Sequence, residues 1–105
     1  MFKVTPAAAE QVGRAAQQSG AEGLVLRLAA TQKPDGSIDY RMGFDEPTED
    51  DIQFKTEGVD IVIAPEFVPL LDKAVLDFVK LESGDHQFIF LNPLDANYSP
   101  AEEDS

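Results

Sequence analysis

The sequence contains no cysteine. That absence excludes disulfides, thiolate metal ligands, a cysteine nucleophile and a thiol redox switch within the chain, and it fits a reducing compartment. Tryptophan is absent too, and histidine occurs once, as His86. Nucleophilic catalysis needs a base beside the nucleophile. His86 follows the turn signal Ser83-Gly84-Asp85, and the chain has no G-x-S-x-G elbow, so this histidine reads as a surface residue. No glycine-rich phosphate loop is present; Gly36, Gly43 and Gly58 are isolated and serve turns or strand packing. Basic residues are scarce: 8 Lys and Arg against 20 Asp and Glu, a formal charge of −12. Such a surface repels phosphate backbones and anionic lipid, so no direct nucleic-acid or membrane partner is expected. Uninterrupted apolar stretches run to only a few residues, far short of a membrane span. The opening MFKVTPAAAEQ lacks the apolar core and cleavage pattern of a signal peptide. The expected location is cytoplasmic.

What remains is enough for one domain. The chain has 105 residues, 43% of them apolar, which suits a single core that needs neither metal nor disulfide. Phe2–Val4 reads as a short strand or an extended lead-in. Thr5 caps a helix, because its hydroxyl can accept a free N–H of the first turn, and Pro6 suits the first helical position. Ala8, Val12, Ala15 and Ala16 share one face of that helix, and Gly20 ends it. Leu24, Leu26, Leu28 and Ala30 then alternate with Val25, Arg27 and Ala29. Ile38, Tyr40, Met42 and Phe44 alternate with Ser37, Asp39, Arg41 and Gly43. Two period-2 runs around Pro34-Asp35-Gly36 predict a hairpin. Ile52 and Phe54, the turn Glu57-Gly58, and Val59, Ile61 and Ile63 predict a second.

Ala64-Pro65-Glu66 starts a short second helix in which Pro69 is tolerable only near the first turn. Leu70, Leu71 and Ala74 bury it. VLDFVK, residues 75–80, is open to two readings: continued helix, or strand, which its β-branched and aromatic residues at period two favour. QFIFL, residues 87–91, is a strand that Asn92-Pro93 stops. The fold class is α+β, with mostly antiparallel sheets and two helices. Residues 1–94 form the domain and 95–105 a flexible acidic tail.

Two polar features invite a chemical reading. The loop 45–51 carries Asp45, Glu46, Glu49, Asp50 and Asp51, but without the alternate-position spacing and bend glycine of a calcium loop, so it reads as a solvated charge run. Asp39 and Arg41, on one strand face, read as a surface ion pair of small value.

Several strings, in order, resemble the HesB/IscA family of A-type iron–sulfur carriers. They are Thr5-Pro6-Ala7-Ala8, Leu26-Arg27-Leu28, Tyr40 and Phe44 followed by Asp45-Glu46-Pro47, and Gly58 to Ile63. Leu70-Leu71-Asp72, Leu76 to Val79 and Phe88 to Pro93 complete the series, which covers residues 4–94. The resemblance implies a HesB/IscA-like fold. It also implies three cysteine ligands for iron or a cluster, whose soft thiolates suit that cargo. Counted from the matching strings, those positions hold Asp35, Ser99 and Ala101 in this chain. The Pro-Asp-Gly-Ser turn and the proline-containing acidic end resemble the cysteine-free, DsrR-like branch of the family, which is linked to dissimilatory sulfur oxidation.

The reading that follows is a non-enzymatic protein-interaction or regulatory factor. It has no catalytic, cofactor-binding or metal-binding residues, no cofactor, a protein partner of unknown identity, and a monomer as its favoured state. An alternative is weak iron binding through oxygen, at Asp35 or the carboxylates Glu102, Glu103 and Asp104. A third is an enzyme built on Arg27, Asp39, Arg41 and the loop 45–51.

Overall fold

The computed structural model describes residues 1–96. Strand β1 (Lys3–Val4) leads into helix α1 (Pro6–Ser19). Thr5 accepts the Ala8 N–H at 3.2 Å and donates its hydroxyl to Asp77 at 2.7 Å, so one side chain both starts the helix and ties it to a distant strand. Gly20 closes α1 with φ 73°, and the next amide reaches back to the Ala16 carbonyl. Strands β2 (Val25–Gln32) and β3 (Ile38–Asp45) form the first predicted hairpin. Strands β4 (Ile52–Thr56) and β5 (Val59–Ile63) form the second. A single 3₁₀ turn (Pro65–Phe67) runs into the four-residue helix α2 (Val68–Leu71), where Pro69 sits in the first turn and removes no helical hydrogen bond. Residues 75–80 are strand β6 (Val75–Lys80), followed by β7 (His86–Leu91).

The strands form two sheets. One has the order β3-β2-β5-β4 and the other β1-β6-β7. The three hairpin pairings are antiparallel, while β2 with β5 and β1 with β6 are parallel. The α+β class with mostly antiparallel pairing is therefore what the chain adopts. Pairing on both sides decides the ambiguity at 75–80: Leu76 lies opposite Val4 on one neighbour and Phe90 on the other.

The inner faces meet over one core. Leu26, Leu28, Ala30 and Ile38 come from the first hairpin, Ile61 and Ile63 from the second, Leu71 from α2, Leu76 from β6 with Ala74 just before it, and Ala8 and Val12 from the buried face of α1. Rings join the sheets directly. Phe2 meets Phe54 and Phe90, each at 6.4 Å, and Tyr40 stacks on Phe90 at 4.3 Å and 6°. Leu24 departs from the expected inward stripe. It precedes β2 and is 37% exposed.

Candidate functional site

The β2–β3 turn carries the position where the family resemblance places a first cysteine. Gly36, with φ 90°, supplies the left-handed residue that this turn requires. Asp35 turns one carboxylate oxygen into the turn, where Oδ1 accepts the Ser37 N–H at 2.9 Å and the Ser37 hydroxyl at 2.6 Å. These two donors hold the Asp35 carboxyl below the usual carboxylate range, the hydroxyl foremost.

The chain beyond β7 returns to this same turn. Asn92 is fully buried and donates to the Leu70 carbonyl at 2.7 Å, while its oxygen accepts the Leu94 N–H at 3.1 Å. Asp95 accepts the Tyr40 hydroxyl at 2.9 Å and the Ile38 N–H at 3.3 Å. The Ala96 N–H donates to the Gly36 carbonyl at 3.0 Å. Burial, reinforced by the Asp95 carboxylate, pushes the Tyr40 phenol well above its ordinary range, so it stays a donor at any physiological pH. Asp95 and Ala96, read from sequence as the start of a flexible tail, are thus tied to the turn. The partners are more than 50 residues apart in sequence, which periodicity does not reveal. Ser99, Ala101, Glu102, Glu103 and Asp104 lie outside the described residues.

A second polar cluster lies on the outer face of the four-stranded sheet. Arg27 grips Asp51 with two parallel bonds, Nη1 to Oδ1 at 2.8 Å and Nη2 to Oδ2 at 2.7 Å. Its Nε donates to Asp45 at 2.8 Å and Nη2 also reaches the Glu46 carbonyl. The Asp51 side chain is only 3% exposed, and it accepts the Thr48 N–H as well. The loop 45–51 is therefore more than a solvated charge run: one arginine fastens its two ends. The expected Asp39–Arg41 pair does not form. Among the described residues neither has an ion-pair partner, because the arginine that shares a face with the loop is Arg27. His86 is exposed and stacks on Phe78 at 5.5 Å.

The Arg27 contact lowers the Asp51 carboxyl far below its ordinary value. A depressed folded-state value contributes stability above the unfolded carboxylate range and loses it as pH falls. Asp51→Asn should therefore melt below the parent at neutral pH, and the gap should close as pH drops below about 4. Thermal scans at several pH values check this; a gap independent of pH would mean that the charge plays no part.

These residues do not fit an iron–sulfur cluster. Thiolate donors are missing, Asp35 Oδ1 is engaged by Ser37, and no group of three or more His, Asp or Glu side chains could hold a metal among the described residues. No helix among them is long and apolar enough to cross a membrane. Nor do Arg27, Asp39, Arg41 and the loop converge on a base–nucleophile pair; Arg27 is taken up by two of the loop's carboxylates, Asp45 and Asp51.

Comparison with known proteins places these features in context. The family described as iron-sulphur cluster biosynthesis matches residues 1–97. A protein of Aquifex aeolicus (strain VF5) is 36% identical over 80 residues, 75% of this chain and 69% of its own. The iron-binding protein IscA of Escherichia coli O1:K1 / APEC is 38% identical over 73 residues, 69% of this chain and 67% of its own. The crystal structure of IscA with the [2Fe-2S] cluster superposes with a TM-score of 0.73 at 29% identity, covering 89% of this chain and 86% of that one.

Proposed function

Since this chain belongs to the iron-sulphur cluster biosynthesis family and holds no cysteine, we propose that it is a ligand-free member that acts by binding a protein partner. It is not an enzyme and not a cluster carrier. The observation that carries this reading is the β2–β3 turn, where a carboxylate whose Oδ1 already accepts two Ser37 donors stands in place of the thiolate the resemblance implies. Function resides in sites rather than folds, so a retained scaffold without its ligands keeps surfaces and loses chemistry. The system it serves is iron–sulfur metabolism or dissimilatory sulfur oxidation in the cytoplasm. The support for the latter is the Pro34-Asp35-Gly36-Ser37 turn, similar to the cysteine-free DsrR-like branch.

The test is anaerobic reconstitution with ferrous iron and sulfide, followed by desalting, iron assay and a visible spectrum. The expected result is background iron and no cluster absorption. Stoichiometric iron would overturn the reading in favour of oxygen ligation, and Asp35→Ala would then show whether this turn supplies a ligand.

A further inference from the structure

A groove runs between α1 and the strands beside it. Its floor is apolar, made by Val12, Leu26, Phe44 and Val59, with the exposed Leu24 as one wall. Its rim is acidic: Glu22, Glu57 and Asp60. Asp60 is paired with Lys55 at 3.5 Å, but among the described residues Glu22 and Glu57 form no ion pair. At ≈ 230 Å³ the groove is below the range of small-molecule and cofactor sites, about 300–1,000 Å³. It accepts side chains.

Two residues at this groove are poor choices for the isolated fold. Gly13 stands in the middle of α1, where alanine is the better helix former, yet nothing lies within 4 Å of where its Cβ would be. No neighbour in the chain demands the glycine; its effect is to leave the groove open. Glu57 is the one non-glycine residue with positive φ among the described residues, at 51°. With Gly58 at φ 80° it makes the two-residue hairpin turn in which asparagine or glycine is the favoured first residue. Glutamate there fits the turn poorly and puts a carboxylate on the rim.

We infer that this groove docks a protein segment carrying one or two apolar side chains flanked by lysine or arginine. The apolar floor accepts the anchors, and the unpaired carboxylates of Glu22 and Glu57 meet the flanking cations. The inference deepens the partner-binding reading above and rests on it, naming the contact surface and the chemistry of the partner.

The probe is a synthetic amphipathic helix of leucine and lysine, titrated into the full-length ¹⁵N-labelled chain. Its controls are one peptide with every lysine replaced by glutamate and one with every leucine replaced by serine. Saturable shifts should centre on the amides of Val12, Gly13, Leu24 and Gly58, weaken with salt, and be absent with both controls. Gly13→Leu, which fills the groove with a better helix former, should weaken binding about tenfold without lowering Tm. Glu57→Asn should likewise weaken binding while Tm holds or rises. Shifts spread evenly over the acidic surface, equal binding of the serine control, or affinity unchanged in both variants would overturn the proposal. Those failures leave iron reconstitution negative, whereas failure of the ligand-free reading appears as bound iron.

Discussion

Leu76→Ala should destabilise the protein by about 2–5 kcal/mol, the range for deleting a fully buried leucine side chain. Leu76 is 0% exposed, on the central strand of the three-stranded sheet, between Val4 and Phe90. It faces the core that both sheets share. Truncation leaves a cavity over β6, which pairs on both sides, so that strand cannot move in to fill it without breaking ladder hydrogen bonds. For a domain of this size each kcal/mol moves Tm by roughly 4 °C or more, so a fall of at least about 8 °C is expected. Urea unfolding should show a lower midpoint with an unchanged slope and one transition. Two separate transitions would mean that the sheets do not melt as a unit. A loss below about 1 kcal/mol would mean that the site collapses around the smaller side chain.

Asn92→Leu should be the second most damaging change, although it swaps a polar side chain for an apolar one of similar size in a fully buried position. The Leu70 carbonyl and the Leu94 N–H both lose their partners. Loss of the bond at the half-buried Leu70 carbonyl costs about 1–3 kcal/mol, more than the apolar side chain returns in an already packed site, while the N–H of the exposed Leu94 can turn to water. The consequence extends beyond stability. Asn92 fixes where the chain leaves β7, and only that exit brings Asp95 to Tyr40 and Ala96 to Gly36. Hydrogen exchange at the Ala96 amide should accelerate in the variant, while amides in the middle of β2 keep most of their protection. Unchanged protection at Ala96 would show that Asp95 alone secures the turn.

Local chemistry made much of the fold legible. Thr5, Pro6 and Gly20 mark the ends of α1 because caps act within a turn of the helix they bound. The alternation around Pro34-Asp35-Gly36 places Tyr40 opposite Ala30 and Met42 opposite Leu28. VLDFVK was open because its state depends on residues 3–4 and 86–91, which only the folded chain brings alongside. The polar sites were less legible. Arg27 and Asp45 share the outer face through hairpin register, but Asp51 arrives by a loop whose path no periodicity describes. The return of Asp95 to the first turn is hidden for the same reason. The groove draws on α1 and three strands, and its only sequence signals were a glycine inside a helix and Glu57 in place of a turn-forming residue.

The parallel pairing of β1 with β6 bears on how the chain folds. Lys3 registers with Val75 and Val4 with Leu76, so β1 waits for a strand that comes after all four strands of the larger sheet. Both hairpins of the larger sheet close over short loops and can form early. The smaller sheet must search across a long span, and such non-local pairings slow folding. During synthesis Phe2 has no Phe90 to meet until β7 has emerged. The β1 segment therefore exposes apolar surface until β6 and β7 have been made. The acidic balance of the chain, which favours solubility, acts in that interval as well as in the finished protein. Residues 2–4 thus find their place after the hairpins that follow them.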